Sequence, residues 1–406
     1  MSTILSRGAL AWVLVLAAGW AALAAVDYHA RDPDSRLYAE ISARMAKAPP
    51  QGWIAPEFPP GWFMGGLFRE HPVGLFIPAA LLGRLGYPAA QAAYAMNAVY
   101  QVLAIVLLQR LTATLVPGLE ARALGWLIQL LPIAFTFRIR ANHELAVLLC
   151  LLAALYGTER ARERPRWALA TVAGLVALLL VKGVLAVFGP VLCVLWLFTR
   201  RVVPGERAPA ERAAWFGIAA GVVAIAATAV AYESLYRQAT GEPFWSFYLN
   251  RQLGVAATTG AGSWLVGKLY NLAFYLGRVV WFALPWSLAF VASLWYARRS
   301  AAPEAAARWR AEAGSRAGLA FASCVVVLYV GLFSLSDRRA DRYIFPAYYA
   351  AGAAGGVAAL RRIAWLRHLA LRLDRPWVEA AVWGVTFLAH LCAGRLGLPT
   401  VKLWAP

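Results

Sequence analysis

Long apolar runs separated by short polar stretches dominate the chain. Each run approaches the roughly 20 residues that a helix needs to cross the hydrocarbon core of a bilayer. The runs predict about eleven crossings: Gly8–Val26, Gln91–Leu115, Ala121–Phe137, Leu145–Tyr156, Trp167–Val181, Val184–Leu197, Ala213–Tyr232, Leu272–Trp295, Gly318–Leu335, Tyr343–Leu360 and Val378–Leu396. The fourth to sixth are short for an untilted span. The pattern thus predicts an all-α polytopic membrane protein, one transmembrane domain over residues 1–406. One polar interval, 27–88, is much longer than the rest. Within it Leu37, Ile41 and Met45 recur at helical spacing beside Arg36, Glu40 and Arg44, which predicts an amphipathic helix on the membrane surface. Pro49–Trp62 is rich in Pro, Gly and Trp and should be irregular. Val73–Leu85 is apolar but short, and is expected to be interfacial or re-entrant.

Composition supports this and removes other classes. Hydrophobic residues make up 61% of the 406, charged residues 15%, and mean hydropathy is +0.59. A net charge of +19 would suggest nucleic acid in a soluble chain. Here the arginines gather between spans, in Glu159–Arg166, Arg200–Arg212, Arg298–Arg316 and Arg361–Arg375, so they report topology and imply no nucleic-acid partner. Placing these runs in the cytoplasm requires a cytoplasmic N-terminus and puts 27–88 outside. Arg7 precedes the first apolar run as in a secretory leader, but no clear small-x-small cleavage site separates it from the acidic cluster and many further spans follow, so the run is expected to be retained. Cys150, Cys193, Cys324 and Cys392 all fall in apolar runs and are expected to be small buried residues.

The same topology collects an unusual set of polar groups on the outer face: Asp32, Asp34, Arg69, Glu70, His71, Arg138, Arg140, His143, Glu144, Lys182, Arg251, Arg338, Arg339, Asp341 and Arg342. Outward arginines run against the positive-inside trend and suit an anionic ligand such as a lipid phosphate, although single arginines also snorkel at helix ends. Lys182-Gly183 lies between two wholly apolar runs, either as a tight outer turn or facing a cavity. Asp32 and Asp34 form a D-x-D pair. Glu70, His143 and Glu144 offer oxygen and nitrogen ligands, so a divalent ion there is the one cofactor the sequence suggests.

The segment Pro33-Asp34-Ser35-Arg36-Leu37-Tyr38-Ala39-Glu40-Ile41-Ser42 resembles the P-D-E-x-x-Y-A-x-I-x element of the dolichyl-phosphate-mannose protein mannosyltransferases and aminoarabinose transferases. These are membrane glycosyltransferases of the GT-C superfamily. In order along the chain, Trp53-Ile54-Ala55-Pro56 is similar to their W-x-x-P, Arg69-Glu70-His71-Pro72 to an x-x-H-P element, and Lys182-Gly183 to a K-G pair. Leu284-Pro285-Trp286 and Asp341-Arg342-Tyr343-Ile344-Phe345-Pro346 resemble later landmarks. Ser35 replaces the second acid, and His71 the lysine of the aminoarabinose-transferase type.

The resemblance implies a GT-C fold in the cell envelope, with the first outer loop, 27–88, catalytic. It implies transfer of a sugar from a polyprenyl-phosphate donor to an extracytoplasmic lipid, glycan or protein acceptor, on the periplasmic face of an inner membrane. Asp34 becomes the base, with Asp32 secondary. Lys182, Arg251, Arg338, Arg342, His71 and Tyr38 would bind the donor. A lipid-linked glycan flippase and an O-antigen-type polymerase or ligase are the alternatives. Transporters place charges at the membrane midplane within inverted repeats, and neither feature is visible here.

Overall fold

The computed structural model describes residues 2–30, 32–62, 65–201, 211–253, 261–299, 312–336 and 339–395. The first half comprises α1 (Ser2–Val26), α2 (Pro33–Lys47), α3 (Phe76–Arg84), α4 (Ala89–Leu115), α5 (Leu119–Leu127), α6 (Pro132–Thr136), α7 (Glu144–Ala161) and α8 (Ala168–Lys182). There follow α9 (Phe188–Arg201), α10 (Arg212–Thr240), α11 (Trp245–Leu253), α12 (Ala261–Phe282) and α13 (Trp286–Arg299). The chain closes with α14 (Ala313–Ser334), α15 (Phe345–Arg362), α16 (Ala364–Arg372) and α17 (Val378–Arg395). Among the described residues there is no β-strand beyond one isolated bridge, Glu57 to Leu67.

Among the described residues, five helical stretches are long and apolar enough to cross a membrane, or six counting one bent pair. This makes the chain an integral membrane protein, but not through eleven plain spans. The predicted span Leu272–Trp295 is broken: its two halves, Trp264–Phe282 and Trp286–Ala297, meet at 113°. Pro285 lacks the N–H that would continue the helix, and Ser287 Oγ donates to Val280 O at 2.6 Å, satisfying a carbonyl at the break. The predicted span Ala121–Phe137 is also interrupted, at Leu131-Pro132, leaving α5, a 3₁₀ turn Ile128–Leu130 and the short α6. Freed backbone cannot stay unpaired at membrane depth. Helix α4 supplies the partners, with Gln101 Nε2 donating to Ala134 O at 3.2 Å and Asn97 Nδ2 to Phe137 O at 3.1 Å.

The 37-residue apolar stretch Pro165–Arg201 folds back on itself. In a straight helix Leu175 and Gly189 would lie about 21 Å apart, yet Gly189 packs directly against the side chains of Leu175 and Leu178. The reversal falls at Lys182-Gly183, where Gly183 takes φ +56°, a conformation that favours glycine. Lys182-Gly183 is therefore a tight turn between two apolar helices, one of the two arrangements its sequence allows. Helix α8 packs closely on α7 because Gly157 and Gly174 remove the side chains that would hold them apart. A Cβ on Gly174 would sit 2.6 Å from Ala154 N.

The described arginines of the arginine-rich runs gather at one end of the molecule. Glu159 joins Arg162 at 3.1 Å and Arg200 at 3.2 Å, and also accepts from Trp196 Nε1 at 2.8 Å. Arg361 meets Glu120 at 3.3 Å, and Arg122 meets Asp374 at 2.8 Å. Glu144 begins the helix that Glu159 nearly ends, a rise of about 22 Å. The acidic segment therefore lies at the opposite end of α7 from Glu159 and its arginines.

Candidate active site

The site is built on α2. Asp32 is its N-cap: Oδ2 accepts from Ser35 N at 3.2 Å and Ser35 Oγ at 2.6 Å, and Pro33 occupies the first turn. Asn142 Nδ2 also donates to Asp32 Oδ2, at 3.2 Å, so this carboxylate ties α2 to the segment before α7. Two residues on, Asp34 is not used for capping. Its carboxylate is ion-paired with Arg342, and both side chains remain about one-third exposed, at 33% and 30%. The two acids that look equivalent in sequence are thus different in kind.

Helix α2 buries Leu37, Tyr38, Ile41 and Met45, the expected apolar face with one addition. Tyr38 is 3% exposed. Its ring lies among Phe76 (5.7 Å), His143 (5.3 Å) and His71 (6.1 Å), so it forms the floor of the site. Burial, then the negative charges of Glu70, Glu144 and Asp32, push its phenol well up, and it stays neutral. His71 stacks on His143 with ring centroids 4.5 Å apart. Burial pushes the His71 imidazole well below its ordinary value, and the nearby Lys182 and Arg251 add to the effect.

The proposed metal set is dispersed. Glu70 is ion-paired with Arg251, and its backbone oxygen accepts from Gln252 Nε2 at 3.2 Å. His143 Nε2 lies 3.5 Å from Glu144 Oε1. Among the described residues no group of three or more His, Cys, Asp or Glu is placed to share an ion. Glu144 is instead 3.9 Å from Arg342 Nε, and its other oxygen, buried, has no hydrogen-bond partner among the described residues.

Arg342 reaches the site because Asp341 anchors its turn. Asp341 pairs with Arg278 of α12 at 2.8 Å, and its backbone oxygen accepts from Tyr348 OH at 2.7 Å. Burial lifts the Asp341 carboxyl above the usual range, against Arg278 and Arg140. On the opposite side Tyr248 of α11 staples the Lys182-Gly183 turn, donating to Lys182 O at 2.9 Å and accepting from Val184 N at 3.0 Å. Helix α11 is further tied to the first loop by Arg69, which pairs with Glu242 and lies 4.5 Å from the Phe247 ring.

The structure therefore brings Asp32, Asp34, Tyr38, Glu70, His71, His143, Glu144, Lys182, Arg251 and Arg342 to one end. Arg338 lies outside the described residues. Arg138, expected on the outer face, is wholly buried and donates to Gln129 O at 3.2 Å, so it does not belong to the site. Asn142, Tyr248 and Arg278 were not singled out from sequence. Asn142 adjoins His143-Glu144, but nothing local marks the other two.

No family model matches the chain, and no curated protein matches it either. The fold does match. Its helical spans and the short helices of the first polar loop follow the fold of a solved membrane protein. The chain is similar to the crystal structure of ArnT from Cupriavidus metallidurans bound to undecaprenyl phosphate: TM-score 0.66, 19% identity, covering 96% of this chain and 78% of that one. The apo form of that ArnT superposes with TM-score 0.62 at 19% identity, covering 97% and 78%.

Proposed function

We propose that the protein is a glycosyltransferase that moves a sugar from a polyprenyl-phosphate carrier to an acceptor at the outer face of a bacterial inner membrane. The observation that carries this reading is the ion pair of Asp34 and Arg342 at the open end of a GT-C fold, with Glu144 behind it and Lys182 and Arg251 nearby. A carboxylate held by a guanidinium is a resting state that an incoming phosphate can open. The phosphate competes for Arg342, because guanidinium binds phosphate in the same forked geometry as carboxylate. Asp34 is then released beside the anomeric carbon. The similarity to an ArnT structure that holds undecaprenyl phosphate supports this class of carrier.

The chemistry needs one base. The acceptor hydroxyl oxygen attacks the anomeric carbon and its proton passes to the Asp34 carboxylate. The bond from that carbon to the phosphate oxygen breaks, and the polyprenyl phosphate leaves with the electron pair. A phosphate is a good leaving group and needs no acid to protonate it, unlike the alkoxide released by a glycosidase. Charge developing on it is met by Arg342, with Lys182 and Arg251 close by. A single displacement inverts the anomeric centre. Asp32 orients α2 and takes no proton.

The test is mass spectrometry of surface lipids and glycans from a deletion strain complemented with wild type or Asp34→Asn. Loss of one sugar unit is expected on deletion, restored by wild type and not by the variant, since removing a general base costs about 100-fold or more in rate. Full restoration by Asp34→Asn at normal expression would show the assignment to be wrong. Movement of intact lipid-linked sugar across proteoliposomes, without transfer, would establish the flippase alternative.

A further inference from the structure

A cavity of about 190 Å³ lies among α4, α7, α9, α13, α14 and α15, and the chemistry above makes no use of it. Its walls are apolar, with Leu108, Leu111, Leu151, Leu155, Phe321 and Val325 among them. Along α15 the lining runs from Pro346 to Arg362, a rise of about 24 Å, against a hydrocarbon core of about 30 Å. Helix α15 leaves this room because it faces the space with Ala350, Ala353, Ala354 and Ala358. All of the charged groups in the lining stand at the arginine-rich end, where Tyr296, Glu312, Ser315, Arg316, Arg361 and Arg362 form the mouth.

We infer that this cavity holds an acyl chain of an anionic membrane phospholipid, whose phosphate sits at Arg316, Arg361 and Arg362. An apolar channel at this depth is filled by hydrocarbon more readily than by water. Among the described residues, three guanidiniums at the mouth stand against two carboxylates: Arg361 pairs with Glu120 at 3.3 Å, and Glu312 acts on Arg316. Arg362 lies 5.1 Å from the Tyr296 ring centroid, a contact that leaves its N–H edge for an anion. Ser315 Oγ, buried at the mouth, has no hydrogen-bond partner among the described residues, so it has a donor to offer a phosphate oxygen. At the far end the lining residues are buried Pro346 and Tyr349, so the cations that suit a phosphate stand at the arginine end.

Native mass spectrometry of the delipidated, detergent-purified chain tests this with four probes: phosphatidylglycerol, phosphatidylcholine, inorganic phosphate and polyprenyl phosphate. One phosphatidylglycerol is expected to remain bound, phosphatidylcholine to bind about tenfold more weakly, and free phosphate not to compete. Arg362→Gln should bring phosphatidylglycerol down to the phosphatidylcholine level. Ala354→Phe fills the channel and should abolish retention of both lipids, and Ala354→Leu gives the same direction if the larger residue prevents folding. Equal binding of the two lipids, undiminished retention in both Ala354 variants, or displacement by inorganic phosphate would overturn the inference. So would displacement by polyprenyl phosphate, which would assign the channel to the donor's tail.

Discussion

Asp32 and Asp34 show how little residue type says about role. Both acids stand at the start of one helix, yet one accepts three hydrogen bonds and the other faces Arg342 at the surface. Sequence resemblance singled out Asp34, and Arg342 as a cation, but the link between them spans more than three hundred positions and exists only in the folded chain. His71 carries a consequence at this scale. Burial, with Lys182 and Arg251 nearby, depresses its folded value, so the unfolded chain binds the proton more readily. The stabilisation is therefore full above the unfolded value of about 6.5 and is lost as pH falls below it. Thermal unfolding in detergent should show the midpoint dropping between pH 7.5 and pH 5. In His71→Gln that acid-side slope should be shallower; an identical slope would locate the titration elsewhere.

Among the elements, α2 is the most legible and the broken helices the least. Its apolar stripe at Leu37, Ile41 and Met45 has the period of a helix and is buried as expected. Hydropathy windows average over a break, which is why Ala121–Phe137 and Leu272–Trp295 look like plain spans although each contains a proline. What makes those breaks stable is distant: Gln101 and Asn97 of α4 satisfy the first, and no local signal connects them to it. The cap of α2 can be tested directly. Asp32→Ala removes the acceptor for Ser35 and Asn142 and should cost about 1 kcal/mol or somewhat more, read as a lowered unfolding midpoint. Because α2 carries Asp34, turnover should fall too, and Asp32→Asn, which keeps an acceptor, should recover most of both. Loss of turnover in Asp32→Asn equal to that in Asp34→Asn would instead give Asp32 a proton-transfer role.

At the scale of the whole molecule, two polar ends are separated by an apolar body. The arginine end is cross-braced through Glu159, buried between Arg162, Arg200 and Trp196. Glu159→Gln removes the buried carboxylate that Arg162, Arg200 and Trp196 share and should destabilise by about 1–3 kcal/mol, read as a lowered unfolding midpoint. Any turnover measured on the surviving folded fraction should be close to wild type, since the site lies at the opposite end. A variant that unfolds normally but loses activity would mean that the two ends are coupled.

The sequence by itself determined that the chain lies in a membrane, that its arginine runs share one end and that its acidic segment lies at the other. These follow from hydrophobicity and charge, which each residue carries wherever it is placed. Only the tertiary structure decided which acid is paired, which histidine is buried, which arginine leaves the surface and which spans are broken. Those outcomes depend on partners far away in sequence, such as Arg342 for Asp34, Tyr248 for the Lys182 turn and Gln101 for Ala134. Pairing and desolvation are properties of neighbours in space, and a linear pattern does not contain them.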